Sequence, residues 1–116
     1  LIQELAGVRD SGLRGNPLFK AALEPHAGAL TKAGRALSKH PDIVGETKGT
    51  FNQVFRTDTQ RNNAAAEVLK QILRFGRAKS DYAPRAQTGV IEYRLPSGYG
   101  ARWNSGSGEF VGFISP

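Results

Sequence analysis

Apolar positions fall into two regimes along the chain: helical spacing in the first two thirds, then strand-like alternation and short apolar runs toward the end. Asn16-Pro17 is a helix-start pair, with Pro suited to the first helical position, and predicts a short helix over Leu18–Leu23 that breaks near Pro25. From Ala29 a second helix is expected, with Leu30, Ala33 and Leu37 on one side and Lys32, Arg35 and Lys39 on others. It ends at His40, because Pro41 disfavours helical geometry in the residue before it. Phe51, Val54 and Phe55 predict another turn or two of helix. The clearest helix covers residues 61–75, where Ala65, Val68, Leu69, Ile72 and Leu73 form one stripe. Asp58 or Asn62 is placed to cap it and Gly76 to stop it. A polar loop through Pro84 then runs to Thr88.

After that loop the period changes to two. Val90–Leu95, Tyr99–Asn104 and Phe110–Ile114 read as strands, separated by turn-rich Pro96-Ser97-Gly98 and Ser105–Gly108. Three consecutive strands make an antiparallel meander, so the fold class expected is α+β, N-terminal helices packed on a small antiparallel sheet near the C-terminus. Parity puts Ile91, Tyr93 and Leu95 on one face of the first strand, and Glu92 and Arg94 on the other. In the second strand Tyr99, Ala101 and Trp103 lie opposite Gly100, Arg102 and Asn104. One face must be buried by helices, which leaves Glu92, Arg94 and Arg102 for the exposed face. Residues 1–15, with Gly7, Gly12 and Gly15, read as a linker or leader, and 16–116 as a single domain.

Composition narrows the chemistry. Sixteen Lys and Arg against ten Asp and Glu give a net charge of +6 over 116 residues. The densest basic stretch is Lys70, Arg74, Arg77, Lys79, Arg85, Arg94 and Arg102, opposed only by Asp81 and Glu92. Such a strip favours polyanions, nucleic acid above all. No cysteine is present, so disulfides, thiolate metal sites and thiol nucleophiles are excluded together. Two histidines and no acidic cluster give no metal site, and no cofactor is expected. No apolar run approaches the ~18 residues of a membrane span. Leu1–Val8 carries Glu4 and lacks a basic start, so no cleavable signal peptide is expected there.

These residues suit RNA better than DNA. RNA carries its own nucleophile, the ribose 2′-hydroxyl, and needs only an acid, a base and cations to stabilise the phosphorane. DNA hydrolysis usually recruits a metal. His40, next to Lys39 at a helix end, is the first acid/base candidate, whereas His26 beside Pro25 reads as a loop histidine. Lys39 and Lys48 are placed to meet phosphate, and Arg77, Lys79, Arg85 and Arg94 to bind RNA. Trp103 is either a base-stacking residue or a core aromatic of the sheet, and Ser105 a site residue or a plain turn residue. A non-catalytic basic nucleic-acid-binding module is the alternative these residues leave open, and an interaction domain for an acidic protein a third.

The run Ala36-Leu37-Ser38-Lys39-His40-Pro41, the Ala-rich segment Asn62–Ile72, the stretch from Gly98 to Asn104 and the strand Phe110–Ile114 together resemble the C-terminal toxin domains of contact-dependent growth-inhibition proteins. More distantly they resemble the colicin D tRNases. The resemblance covers roughly residues 29–116. It implies the barnase/EndoU/colicin/RelE architecture and metal-independent cleavage of tRNA in a competing bacterium, leaving a 2′,3′-cyclic phosphate. It also implies delivery from the cell surface as part of a larger effector that acts in the target-cell cytoplasm. Carried onto this chain, it gives His40 and Lys39 the acid/base centre, with Trp103 and Ser105 near it. Leu37 stands where colicin D has a further lysine, and strand parity offers Arg102 and Arg94 to supply charge instead. The partners it implies are a tRNA substrate and a cognate immunity protein that covers the basic cleft. Some such toxins also borrow a cytosolic protein of the target cell, such as elongation factor Tu.

Overall fold

A computed structural model describes residues 15–84 and 87–116. The expected linker therefore lies outside the described residues except for Gly15, and Arg85 lies outside them too. The order of elements is α1 (Pro17–Ala22), β1 (Pro25–Ala27), β2 (Leu30–Thr31), α2 (Lys32–Lys39), a 3-10 turn (Pro41–Val44), α3 (Lys48–Val54), α4 (Asp58–Phe75), β3 (Arg77–Ala83), β4 (Thr88–Arg94), β5 (Gly100–Asn104) and β6 (Phe110–Ile114). Strands β3 to β6 form one antiparallel sheet in sequence order, and β1–β2 a separate hairpin. Helices followed by a C-terminal antiparallel sheet is the α+β class expected.

Each helix starts on a side chain that satisfies its free backbone donors. The Asn16 carboxamide oxygen accepts from the Leu18 and Phe19 amides, ahead of Pro17 at the first helical position. Thr31 caps α2 by accepting from Gly34, and Thr47 with Thr50 closes a capping box on α3. On α4 the cap is Thr57, paired reciprocally with Gln60, rather than Asp58 or Asn62. Asn62 sits within α4 and reaches outward. Its oxygen accepts from the Thr31 amide at 2.9 Å and hydroxyl at 3.1 Å, and its amide donates to the Ala29 carbonyl at 2.7 Å. The turn at Ala29 and strand β2 (Leu30–Thr31) are thereby held against α4, and α2 begins at Lys32 instead of Ala29.

Four strands replace the expected three. The segment read as a polar loop contains β3, paired along its length with β4 from Arg77 opposite Arg94 to Ala83 opposite Thr88. Its residues are exposed except for Ala83, since β3 is an edge strand with no helix over it. Gly76 ends α4, as expected, with φ −74° and so without a left-handed cap. The helix passes directly into β3 there, and a Cβ at Gly76 would meet the Ile72 carbonyl oxygen.

The core lies between the four helices and the inner sheet face. It is built from Phe19, Leu37, Phe51, Leu69, Ile72 and the aromatics of the sheet. Trp103 packs edge-on to Tyr93 and Phe110, at ring-centroid distances of 5.9 and 5.5 Å, and Phe110 does the same to Phe113 at 5.4 Å. The Trp103 indole N–H donates to the Leu18 carbonyl at 2.7 Å, fastening α1 to the sheet. With 0 % exposure Trp103 has no face free for a base, so of its two readings the core aromatic holds.

Candidate active site

The helical period that buries Ala33 and Leu37 of α2 turns a second stripe outward: Lys32, Arg35, Ala36, Lys39 and His40, at i, i+3, i+4, i+7 and i+8. This stripe forms one wall of a cleft of about 530 Å³. The edge strand β6 forms the floor, Arg102 of β5 enters from the outer sheet face, and His26 from the β1–β2 hairpin closes the other side. Four cations and both histidines of the chain thus share one depression, with Glu109 its only acidic lining residue among those described. No carboxylate lies within 4 Å of Arg35 or Lys39 among the described residues.

His40 is fixed from both sides. Its amide donates to the Ala36 and Leu37 carbonyls at the end of α2, and its carbonyl accepts from Ile43 in the 3-10 turn. That turn is anchored in its own right: the Ser115 hydroxyl donates to Asp42 at 2.8 Å, and the Tyr99 hydroxyl lies close enough to feel the Asp42 charge. Loss of solvent and then the Asp42 charge push the Tyr99 hydroxyl above its ordinary pKa. The backbone on either side of the imidazole is therefore rigid, while the half-buried ring borders the cleft. His26 is held differently, through the Asn62 clamp on its hairpin and the Lys32 amide, which donates to the Glu24 carbonyl at 2.9 Å.

Arg102 is oriented by Glu92. In register, Lys79, Glu92 and Arg102 stand side by side across β3, β4 and β5. The Glu92 carboxylate takes Arg102 Nε at 2.9 Å, Arg94 Nε at 3.1 Å and Lys79 Nζ at 3.6 Å. Glu92 is on the outer face, as parity required, but the cations cover it completely and leave it 0 % exposed. Burial pulls its carboxyl upward, yet the hydrogen bonds and charges of Arg94 and Arg102 outweigh that and hold it below the usual carboxylate range. With Nε committed to Glu92, the terminal guanidinium nitrogens of Arg102 make no other hydrogen bond among the described residues and can reach into the cleft.

The expected site residues thus divide into three groups. His40, Lys39 and Arg102 come together, although 62 residues separate His40 from Arg102. Trp103 lies on the opposite face, and Ser105 is in the exposed β5–β6 turn outside the cleft. Arg77, Lys79 and Arg94 line a second groove, and Lys48 opens α3 apart from both. His26, expected to be a plain loop histidine, and Lys32 and Arg35, read only as cations on the outer faces of the helix, also line the cleft. The i, i+3, i+7 spacing of the α2 cations carries Lys32 and Arg35 there with Lys39; nothing local marks His26, which a hairpin brings in.

An α+β domain thus brings two imidazoles and four cations together in one cleft. Residues 19–115 match the model of the CdiA C-terminal tRNase toxin domain, and the chain belongs to that family. Among solved structures it is similar to the toxic C-terminal tip of CdiA from Pseudomonas aeruginosa, determined in complex with its immune protein. The two are 32 % identical with a TM-score of 0.62, over 82 % of this chain and 98 % of that one. No curated protein gives a significant match.

Proposed function

We propose that this domain is a metal-independent endoribonuclease that cleaves tRNA by attack of the ribose 2′-hydroxyl, with His40 and His26 as the acid/base pair. One imidazole takes the 2′-hydroxyl proton as the oxygen attacks phosphorus. The other donates a proton to the departing 5′-oxygen, and the products are a 2′,3′-cyclic phosphate and a 5′-hydroxyl. Lys39 and Arg35 of α2 hold the non-bridging oxygens, and Arg102 stabilises the extra charge of the phosphorane. The observation that carries this reading is the convergence of both histidines and four cations in one cleft. Metal independence is supported by the donor set: imidazole and cationic side chains line the cleft where a metal-dependent site would present carboxylates.

The domain acts in the cytoplasm of a competing cell after delivery as the tip of a larger surface effector. It is held inactive in its producer by an immunity protein that presents carboxylates to the cleft, since burying this many cations requires compensating charge. The test is cleavage of total tRNA by the purified domain in EDTA, for wild type, His40→Ala and His26→Ala, with and without target-cell extract to supply a factor such as elongation factor Tu. Discrete fragments with cyclic-phosphate ends from wild type, lost in both variants, are expected. Unchanged cleavage by His40→Ala refutes the assignment of the pair. No cleavage under either condition leaves a nucleic-acid-binding module.

A further inference from the structure

A second groove of about 450 Å³ opens where α4 passes into β3. Phe75, Leu95 and Pro96 supply its apolar part, and Arg77, Lys79 and Arg94 its charge. Phe75 is the last residue of α4 and is 61 % exposed, an unusual position for a large aromatic in an otherwise well-formed core. It is rigidly presented: the Gly76 amide donates to the Ile72 carbonyl at 2.8 Å, and the chain enters the β3–β4 ladder at the next residue. Glu92 lies at the edge of the groove and neutralises only part of its three cations.

We infer that this groove is a nucleotide subsite, in which Phe75 stacks on one unpaired base of the RNA substrate while Arg77 and Lys79 hold the flanking phosphates. An exposed aromatic among cations is the combination single-stranded nucleic acid requires, because every base has a face to stack and every linkage a charge. A duplex presents no free base face and would not use Phe75. Continuity with the cleft supports the same occupant. Arg94, lining the groove, and Arg102, lining the cleft, share the Glu92 carboxylate. Lys79 and Arg102 are two strands apart, about 10 Å. A strand cut in the cleft therefore reaches the groove within a few nucleotides, and the enzyme selects an unpaired segment of its RNA rather than a stem.

This inference rests on the RNA-cleaving reading for the identity of the strand, but its test does not need cleavage. In a His40→Ala background, fluorescence anisotropy measures the Kd of a single-stranded RNA hexamer, an abasic ribose-phosphate hexamer and a loop-free RNA duplex at fixed salt. Phe75→Ala is expected to weaken the single-stranded RNA about tenfold, in the range of one stacked base. Phe75→Trp restores binding, and its emission is quenched by the RNA hexamer but not by the abasic one; the native Trp103 is buried and contributes little to that change. Equal affinity with and without the Phe75 ring overturns the subsite, as does an equal loss for the abasic strand. Phe75-dependent binding in a protein whose wild type cleaves nothing would retain the subsite and remove the nuclease. Cleavage by wild type with Phe75-independent binding would do the reverse.

Discussion

Replacing Glu92 with Gln keeps the shape of the side chain and removes its charge, and it tests the electrostatic frame of the outer sheet face. Arg102, Arg94 and Lys79 lie within 2.9, 3.1 and 3.6 Å of the carboxylate. Breaking a fully buried charge cluster by removing one partner costs roughly 3–5 kcal/mol. The cations left behind are partly in water, with side chains 34 % (Arg94), 29 % (Arg102) and 59 % (Lys79) exposed, so solvent recovers much of that. About 2 kcal/mol remains, which for a domain of this size lowers the thermal midpoint by about 8 °C. The pH dependence carries a definite sign. A carboxyl held below its ordinary value in the folded state adds stability above the unfolded pKa, near 4.3, and that stability is lost as pH falls through the folded value. Thermal melts by circular dichroism at pH 7 and at about pH 3 should therefore show a gap between wild type and Glu92→Gln that closes in acid. A variant within about 1 °C of wild type at pH 7, or a gap that persists undiminished at the lower pH, would refute the account.

Three further outcomes follow from the geometry. Gly34→Ala pushes a methyl group into the Asn62 carboxamide oxygen, which then gives up hydrogen bonds to Thr31. The loss, about 1 kcal/mol per bond, exceeds the roughly 1 kcal/mol gained from helix propensity, so urea unfolding should show a net cost of about 1 kcal/mol; a more stable variant would mean that Asn62 finds another seat. Trp103→Phe leaves the Leu18 carbonyl without its donor and removes ring volume, for a loss of about 2–3 kcal/mol in urea with an unchanged slope; an unaltered midpoint would show that the indole bond contributes nothing. Arg35→Gln and Lys39→Gln should each lower the slope of log Kd for single-stranded RNA against log salt by about 0.7, the signature of one lost phosphate contact, and an unchanged slope would take that residue off the RNA.

Local chemistry alone determined a good deal of this protein. Pro17, Pro41 and Gly76 punctuate the helices through backbone constraints that operate within one or two residues, so α1, the end of α2 and the end of α4 were legible as written. Period-two alternation in β4 and β5 assigned Tyr93 and Trp103 to one face and Glu92 and Arg102 to the other, because side-chain direction in a strand is a local property. Tertiary structure decided the rest. β3 carries no burial signal, since an edge strand with both faces near water is held by main-chain hydrogen bonds that any sequence can make. Asn62 could not be distinguished from a helix cap until its partners, Ala29 and Thr31, arrived from more than 30 residues away. The site shows the same division. The sequence offered His40 and Lys39 as neighbours, but proximity to Arg102 and His26 depends on packing α2 against β6 and on clamping a hairpin to α4. A cleft is a relation between elements, and the residues that line it acquire a common chemistry only once those elements have packed.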